Sequence, residues 1–240
     1  MAKPFLTAEW KKLALLNYDV PPALLEEYVP FGAELDLWQG KCYVSLVGFM
    51  FLNTKVKGCK LPGHVNFEEV NLRFYVRHQA ANGEWKRGVV FIQEIVPKPI
   101  ITLVANKVYK EHYQTRVMDH RWEIQGQDLE VTYTWYIGNR ENTIAVLAGN
   151  SKQHFAPGSD ADFITEHYWG YTKISPEKTS EYEVKHPAWE VYSVKKAAIN
   201  VDFGMTYGEE FEFLNDRQPV SVMLAEGSEI SVGSKRIIRK

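Results

Sequence analysis

The stretch HVNFEEVNLRFYVR (64–77) carries the groups best placed to do chemistry. Taken in steps of two, one row reads Phe67, Glu69, Asn71, Arg73, Tyr75 and Arg77, and the other Glu68, Val70, Leu72, Phe74 and Val76. Side chains alternate along a strand, so the pattern predicts one apolar face and one bearing a carboxylate, an amide and guanidinium groups. Two arginines and no lysine on that face favour bidentate recognition of a carboxylate or phosphate. A second acid, Glu94, interrupts the apolar run GVVFIQEIVP, where a carboxylate is costly unless it is paired or wet. Three accounts stay open on these residues. The polar row faces bulk water; or an arginine pairs with Glu94 and holds strand register; or Glu69, Arg73 and Glu94 project into a hydrated chamber inside a barrel. At about 3.4 Å per residue, Glu69 to Arg73 spans about 14 Å, enough to line a small-molecule cavity. Two carboxylates and an arginine there would position an anion and move a proton.

The elements that must hold these groups are mostly strands. TAEWKKLALLNY has helical spacing, with Thr7 as N-cap, and PPALLEEYVP reads as a second short helix opened by Pro22 and stopped by Pro30. AELDLW, KCYVSLVGFMF, VNFEEVNLRFYVR, KRGVVFIQEIV and PIITLVA then read as strands punctuated by Gly or Pro. ANKVYKEHYQTRVM returns to helical spacing, with Val104, Val108, His112 and Arg116 in one row and Tyr109, Tyr113 and Val117 in another. HRWEI, DLEVTYTWYI and NTIAVLAG follow as strands joined by hairpin signals. Beyond a turn-rich patch at 149–162 and a short helix or turn near FITEHYW, strands are expected in YWGYTKI, SEYEVK, WEVYSVKKA, EEFEFL, PVSVMLA and SEISV. The plan is mainly β with a few helices, and with no repeat and no Gly/Ser linker it is expected to be one domain over 1–240.

The bulk numbers exclude several function classes. With 45% hydrophobic and 24% charged residues, the chain has material for a sizeable core. A formal net charge of −2 gives no positive field for a phosphate backbone, so no nucleic-acid partner is expected. YVSLVGFMFL is shorter than the about 20 residues a spanning helix needs, and MAKPFLTAEWKK lacks the apolar core of a signal peptide. No membrane partner and a cytoplasmic location are the expectation, with Cys42 and Cys59 as free thiols. Phosphate-loop, dinucleotide, GxSxG, HExxH and CxxC signatures are absent, so neither a cofactor nor a metal is implied. His64 and Glu68 have HxxxE spacing but lack a third ligand on a strand.

NYDVPPALLEEYVP, ELDLWQGKCYVSLVGFMF, HVNFEEVNLRFYVR, GVVFIQEIVP and ANKVYKEHYQTRVM, in that order over about residues 10 to 125, resemble the YqjF-like family, domain of unknown function 2071. FITEHYWGY and HPAWEVY extend the likeness more loosely. That family is similar in fold to acetoacetate decarboxylase, which implies a cone-like, largely antiparallel β-barrel with a central cavity and, in the relatives, homo-oligomers. Acetoacetate decarboxylase uses a lysine Schiff base acidified by a neighbouring lysine. The positions that would hold that pair read Tyr113 and Gln114 here, while Lys107 and Lys110 fall out of register and Lys195 and Lys196 sit on a strand. The resemblance therefore implies a chamber without the amine. Glu69 and Glu94 would be its acid–base groups, and Asn71, Arg73, Tyr109, Tyr113 and Arg116 its ligand contacts. A small-molecule binder is the leading expectation, with a lyase-like or proton-transfer enzyme acting on a keto acid, or an interaction protein with a filled interior, as alternatives.

Overall fold

The computed structural model describes residues 3–240. Fourteen strands form one sheet. They are β1 (Leu6–Asp19), β2 (Ala33–Leu35), β3 (Tyr43–Val56), β4 (Phe67–Gln79), β5 (Trp85–Val96), β6 (Tyr113–Thr115), β7 (Met118–Gln125), β8 (Asp128–Ile137), β9 (Arg140–His154), β10 (Trp169–Ser175), β11 (Lys178–Lys185), β12 (Glu190–Asn200), β13 (Ser221–Val232) and β14 (Arg236–Arg239). The helices are α1 (Pro99–Val108), α2 (Asp160–Thr165) and α3 (Phe203–Tyr207).

The neighbours run β11-β10-β5-β4-β3-β1-β13, and β13 pairs back onto β11 through Val184↔Val232 and Lys185↔Ser231, so seven strands close into a ring. Most pairings are antiparallel; β5 with β10 and β5 with β6 are parallel, which makes the sheet mixed. From β13 the sheet continues through β12, β9, β8 and β7 and folds back over the outside of the ring.

This layering accounts for the two-faced strand. Val70, Leu72, Phe74 and Val76 of β4 pack outward with Val44 and Leu46 of β3 against Val131, Tyr133 and Trp135 of β8 and Ile144 and Val146 of β9. The opposite row of β4 faces into the ring, where Phe67 and Tyr75 join a second core with Phe49, Phe51 and Val89. β8 is buried on one face only and alternates cleanly, while β3 and β4 are covered on both.

Four sequence expectations are corrected. The segment 7–18 is a strand, with a bulge at Lys12 (φ 55°) between Lys11 and Ala14 in its pairing with β3. The bulge puts Trp10 and Leu13 in the same core three residues apart, which imitates helical spacing. PIITLVA opens α1, where Pro99 suits the first turn, instead of forming a strand. EEFEFL is a 3-10 turn within Glu209–Asp216. PPALLEEYVP is two 3-10 turns, Pro22–Leu24 and Glu26–Tyr28.

The two layers touch closely at Gly48 on β3, where an added Cβ would lie 2.8 Å from the Tyr133 ring. Gly48→Ala is expected to destabilise the fold by about 1–3 kcal/mol through overpacking. Urea denaturation of Gly48→Ala, Tyr133→Leu and the double variant should show costs that are not additive.

Candidate functional site

All seven ring strands contribute to the lining of one interior cavity of about 130 Å³. Its wall divides into two chemistries. Trp10, Phe49, Phe51, Phe67 and Trp189 make an aromatic side, with Phe51 and Phe67 stacked at 4.7 Å. Glu69, Asn71, Arg73, Glu94, Glu111, Tyr113, His167 and Tyr182 make a polar side.

The strands deliver the polar groups by register. Asn71 on β4 lies opposite Glu94 on β5, and a bulge between the pairs Leu72↔Gln93 and Arg73↔Phe91 leaves Ile92 unmatched. Phe91 and Glu94 therefore both face the cavity although they are three residues apart. Glu69 and Glu94 are each 2% exposed and Arg73 is 7% exposed.

The contacts of these groups are incomplete. Glu69 accepts hydrogen bonds from Asn71 Nδ2 (3.0 Å) and the Tyr113 hydroxyl (2.9 Å). Glu111 accepts on one oxygen from Thr172 Oγ1 (2.7 Å) and the Tyr182 hydroxyl (2.9 Å). Among the described residues no carboxylate pairs with Arg73, so the register-holding ion pair to Glu94 is not formed. Six buried polar atoms on this wall have no protein partner: Trp10 Nε1, Asn71 Oδ1, Arg73 Nε, Glu94 Oε2, Glu111 Oε2 and His167 Nδ1.

Electrostatics follow from that arrangement. Burial pushes Glu69 up to about 7 against the hydrogen bonds of Asn71 and Tyr113 and the charge of Arg73. Glu111 is likewise raised to about 7 by burial, despite its two hydroxyl donors. Glu94 is raised well above the usual carboxylate range, first by burial and then by the charges of Glu111 and Glu69. The three acids are close enough to compete for protons and titrate as a group.

Of the residues singled out from the sequence, Glu69, Asn71, Arg73, Glu94, Tyr109 and Tyr113 line this cavity. Arg116 does not. Its guanidinium bonds to the Thr115 carbonyl (3.0 Å) and Gln114 Oε1 (2.5 Å) outside the lining. The helix expected over ANKVYKEHYQTRVM (105–118) ends at Val108, because Lys110 takes φ 68° and the chain turns back into β6 beside β5. Asn106 pins this return through the backbone N–H (2.8 Å) and C=O (3.0 Å) of Tyr113. Tyr113 thus arrives from a strand, and Tyr109 follows the helix end and donates to the Gly233 carbonyl (3.0 Å). Arg77 is half-buried and pairs with Glu34.

Sequence reasoning missed Glu111, His167, Thr172 and Tyr182. On a helix Glu111 would point away from the row of Tyr109 and Tyr113, so the helical reading hid it. Tyr182 reaches Glu111 only because its ring passes over Gly170, where an added Cβ would lie 2.1 Å from Tyr182 Cζ. No lysine is among the residues lining the cavity. Lys107, Lys110, Lys195 and Lys196 are all exposed. Away from the cavity, Glu68 meets His120 (2.6 Å) with Asp119 beside them, a partly exposed polar contact between β4 and β7; His64 instead bonds the Pro62 carbonyl.

Comparison with known proteins places this geometry. The family model for domain of unknown function 2071, DUF2071, described as an uncharacterized conserved protein (COG2071), matches residues 7–229. The chain belongs to the DUF2071 family. The uncharacterized protein YqjF of Bacillus subtilis (strain 168) is 31% identical over 187 residues, covering 75% of this chain and 72% of that one. Among solved structures, acetoacetate decarboxylase from Legionella pneumophila superposes with a TM-score of 0.68 at 10% identity, over 99% of this chain and 88% of that one. An acetoacetate decarboxylase-like enzyme from Sphingomonas wittichii RW1 gives 0.67 at 11% identity, over 100% and 95%. The enduracididine biosynthesis enzyme MppR complexed with pyruvate gives 0.66 at 12% identity, over 99% and 91%. These likenesses establish an acetoacetate decarboxylase-like fold for this DUF2071 member.

The raised acids have a stability consequence. Above the ordinary carboxylate pKa the unfolded chain has lost protons that the folded chain still holds, so stability falls as pH rises from about 4.5 through about 7. Glu94→Gln removes one of these groups. It is expected to raise the melting temperature at pH 8 relative to wild type by roughly 2–4 °C, or about 1 kcal/mol, with a smaller gain at pH 5. Thermal melts at both pH values check this.

Proposed function

We propose that this chain binds a small organic acid inside the strand ring, with Arg73 taking the anionic group and Tyr113, Asn71 and the protonated acids meeting its other polar atoms. One observation carries the reading: a buried guanidinium without a carboxylate partner stands on a cavity wall that also carries unpartnered polar atoms. Isolated buried polar groups are expensive, and a concave site with convergent unmatched groups is what a polar ligand completes. The MppR neighbour holds pyruvate, which supports the small-acid class at the level of fold. The 130 Å³ of space and the unmatched wall argue against a filled structural interior. We treat residues 1–240 as one unit, since β1 and β13 sit side by side in the same ring, and assign it to a reducing cytoplasm, consistent with two unpaired cysteines.

Isothermal titration with pyruvate, acetoacetate and lactate tests the binding reading. Wild type should bind at least one of them, and Arg73→Met should weaken that binding tenfold or more, about 1.4 kcal/mol. Retention of wild-type affinity in Arg73→Met, or no binding by wild type, would sink it.

A second reading has the same wall move a proton on a keto acid, and the observation favouring it is Glu94, which lines the cavity, has an unpartnered oxygen and is held above the usual carboxylate range. Under this reading Glu94→Gln retains affinity and abolishes solvent deuterium exchange at the methyl group of pyruvate followed by proton NMR. Either reading dispenses with amine catalysis. Intact mass after incubation with pyruvate and borohydride should therefore be unchanged; a reduced adduct on one lysine would show that an amine reaches the site.

A further inference from the structure

His167 is 7% exposed, lines the cavity, and lies in the link between α2 and β10. Its Nε2 is 3.2 Å from Asp36 Oδ2, and the same oxygen accepts from Arg87 Nε at 2.7 Å. Burial alone would raise Asp36, but the hydrogen bonds from His167 and Arg87 and the Arg87 charge hold it below the usual carboxylate range. Asp36 is therefore an acceptor only, which requires the His167 proton to sit on Nε2. Nδ1 is left as a lone pair without a protein partner. Protonating it would bury an imidazolium near the charges of Arg87 and Arg73; burial and both arginines push His167 down to about 4 against the pull of Asp36.

His167 and Arg73 lie against one ring. Tyr75 packs against His167 at 4.7 Å between centroids, and the Arg73 guanidinium carbon lies 5.8 Å from the centre of the same ring. Tyr75 in turn shares its hydroxyl with Ser45 at 2.7 Å, which fixes the ring. The cavity wall thus carries a cation and a pure hydrogen-bond acceptor on two residues that lie against the same ring.

We propose that His167 Nδ1 is the specificity-determining acceptor of this cavity, so that the site prefers small acids carrying an O–H donor beside the carboxylate, the 2-hydroxy acids, over the matching 2-keto acids. The inference rests on the small-acid reading of the cavity. A keto oxygen facing this nitrogen leaves two acceptors opposed and both unpaired, while a hydroxyl satisfies Nδ1. Asp36 acts as a positioning residue that fixes the tautomer.

Two measurements test it. Nitrogen-15 NMR of histidine-labelled protein without ligand should show His167 with Nε2 protonated and Nδ1 bare at pH 7. A protonated Nδ1 overturns the proposal whether or not any acid binds. Titration with L- and D-lactate against pyruvate should then give one lactate enantiomer at least about tenfold tighter than pyruvate and move the Nδ1 resonance. In His167→Phe and Asp36→Ala that preference should disappear; a preference retained in both variants contradicts the proposal. Equal or tighter pyruvate binding by wild type contradicts this inference alone, and failure of all three acids to bind removes the cavity reading together with it.

Discussion

Two residue pairs, Val184↔Val232 and Lys185↔Ser231, turn a curled sheet into a ring, and the chemistry of the interior depends on that closure. On an open sheet the row Glu69, Asn71 and Arg73 would be an ordinary solvated face. Closure, together with α1 and the segments around Glu111 and His167 that border the cavity, takes these groups out of bulk water and leaves them facing one another across a small space. Their cost then depends on what each can reach. The outer layer of β7, β8, β9 and β12 covers the other face of β1, β3 and β4, so the strands carrying the site are packed on both sides. That is a rigid frame for polar side chains whose positions matter to within fractions of an ångström.

The wall is unbalanced by design of its register. Three acids and one guanidinium share the space, and in place of ion pairs burial raises the acids above the usual carboxylate range. A protonated carboxyl donates where a carboxylate only accepts, so the cavity offers donors from its acids and acceptors from the Asn71 oxygen and the His167 nitrogen. The fold relatives named for acetoacetate decarboxylase establish the scaffold, and among the described residues no lysine lines this chain's cavity.

Much of this was legible in the sequence, and the boundary of legibility is physical. Alternation in β4 identified the polar row, and the structure turns Glu69, Asn71 and Arg73 inward as the chamber reading required. What alternation does not encode is a bulge. The bulge at Lys12 made β1 look helical, while the one at Ile92 is what brings Glu94 to the same face as Phe91. The left-handed Lys110 ended a helix that spacing alone would have continued, and with it went the expected place of Arg116 and the hidden place of Glu111. His167 and Tyr182 enter from segments remote in sequence, through Asp36 and Gly170, and no local pattern announces contacts of that kind.

The central claim is that ring closure leaves the interior acids without cationic partners and so holds their protons on to higher pH than in free carboxyl groups. Carbon-13 NMR titration of the glutamate carboxyl groups, with Glu69, Glu94 and Glu111 assigned by single Gln variants, tests it directly. The account predicts that all three titrate above the ordinary carboxylate range, with Glu69 and Glu111 near pH 7. Three ordinary carboxylate titrations near pH 4.5 would mean that the wall is wet or paired, and the account would be wrong.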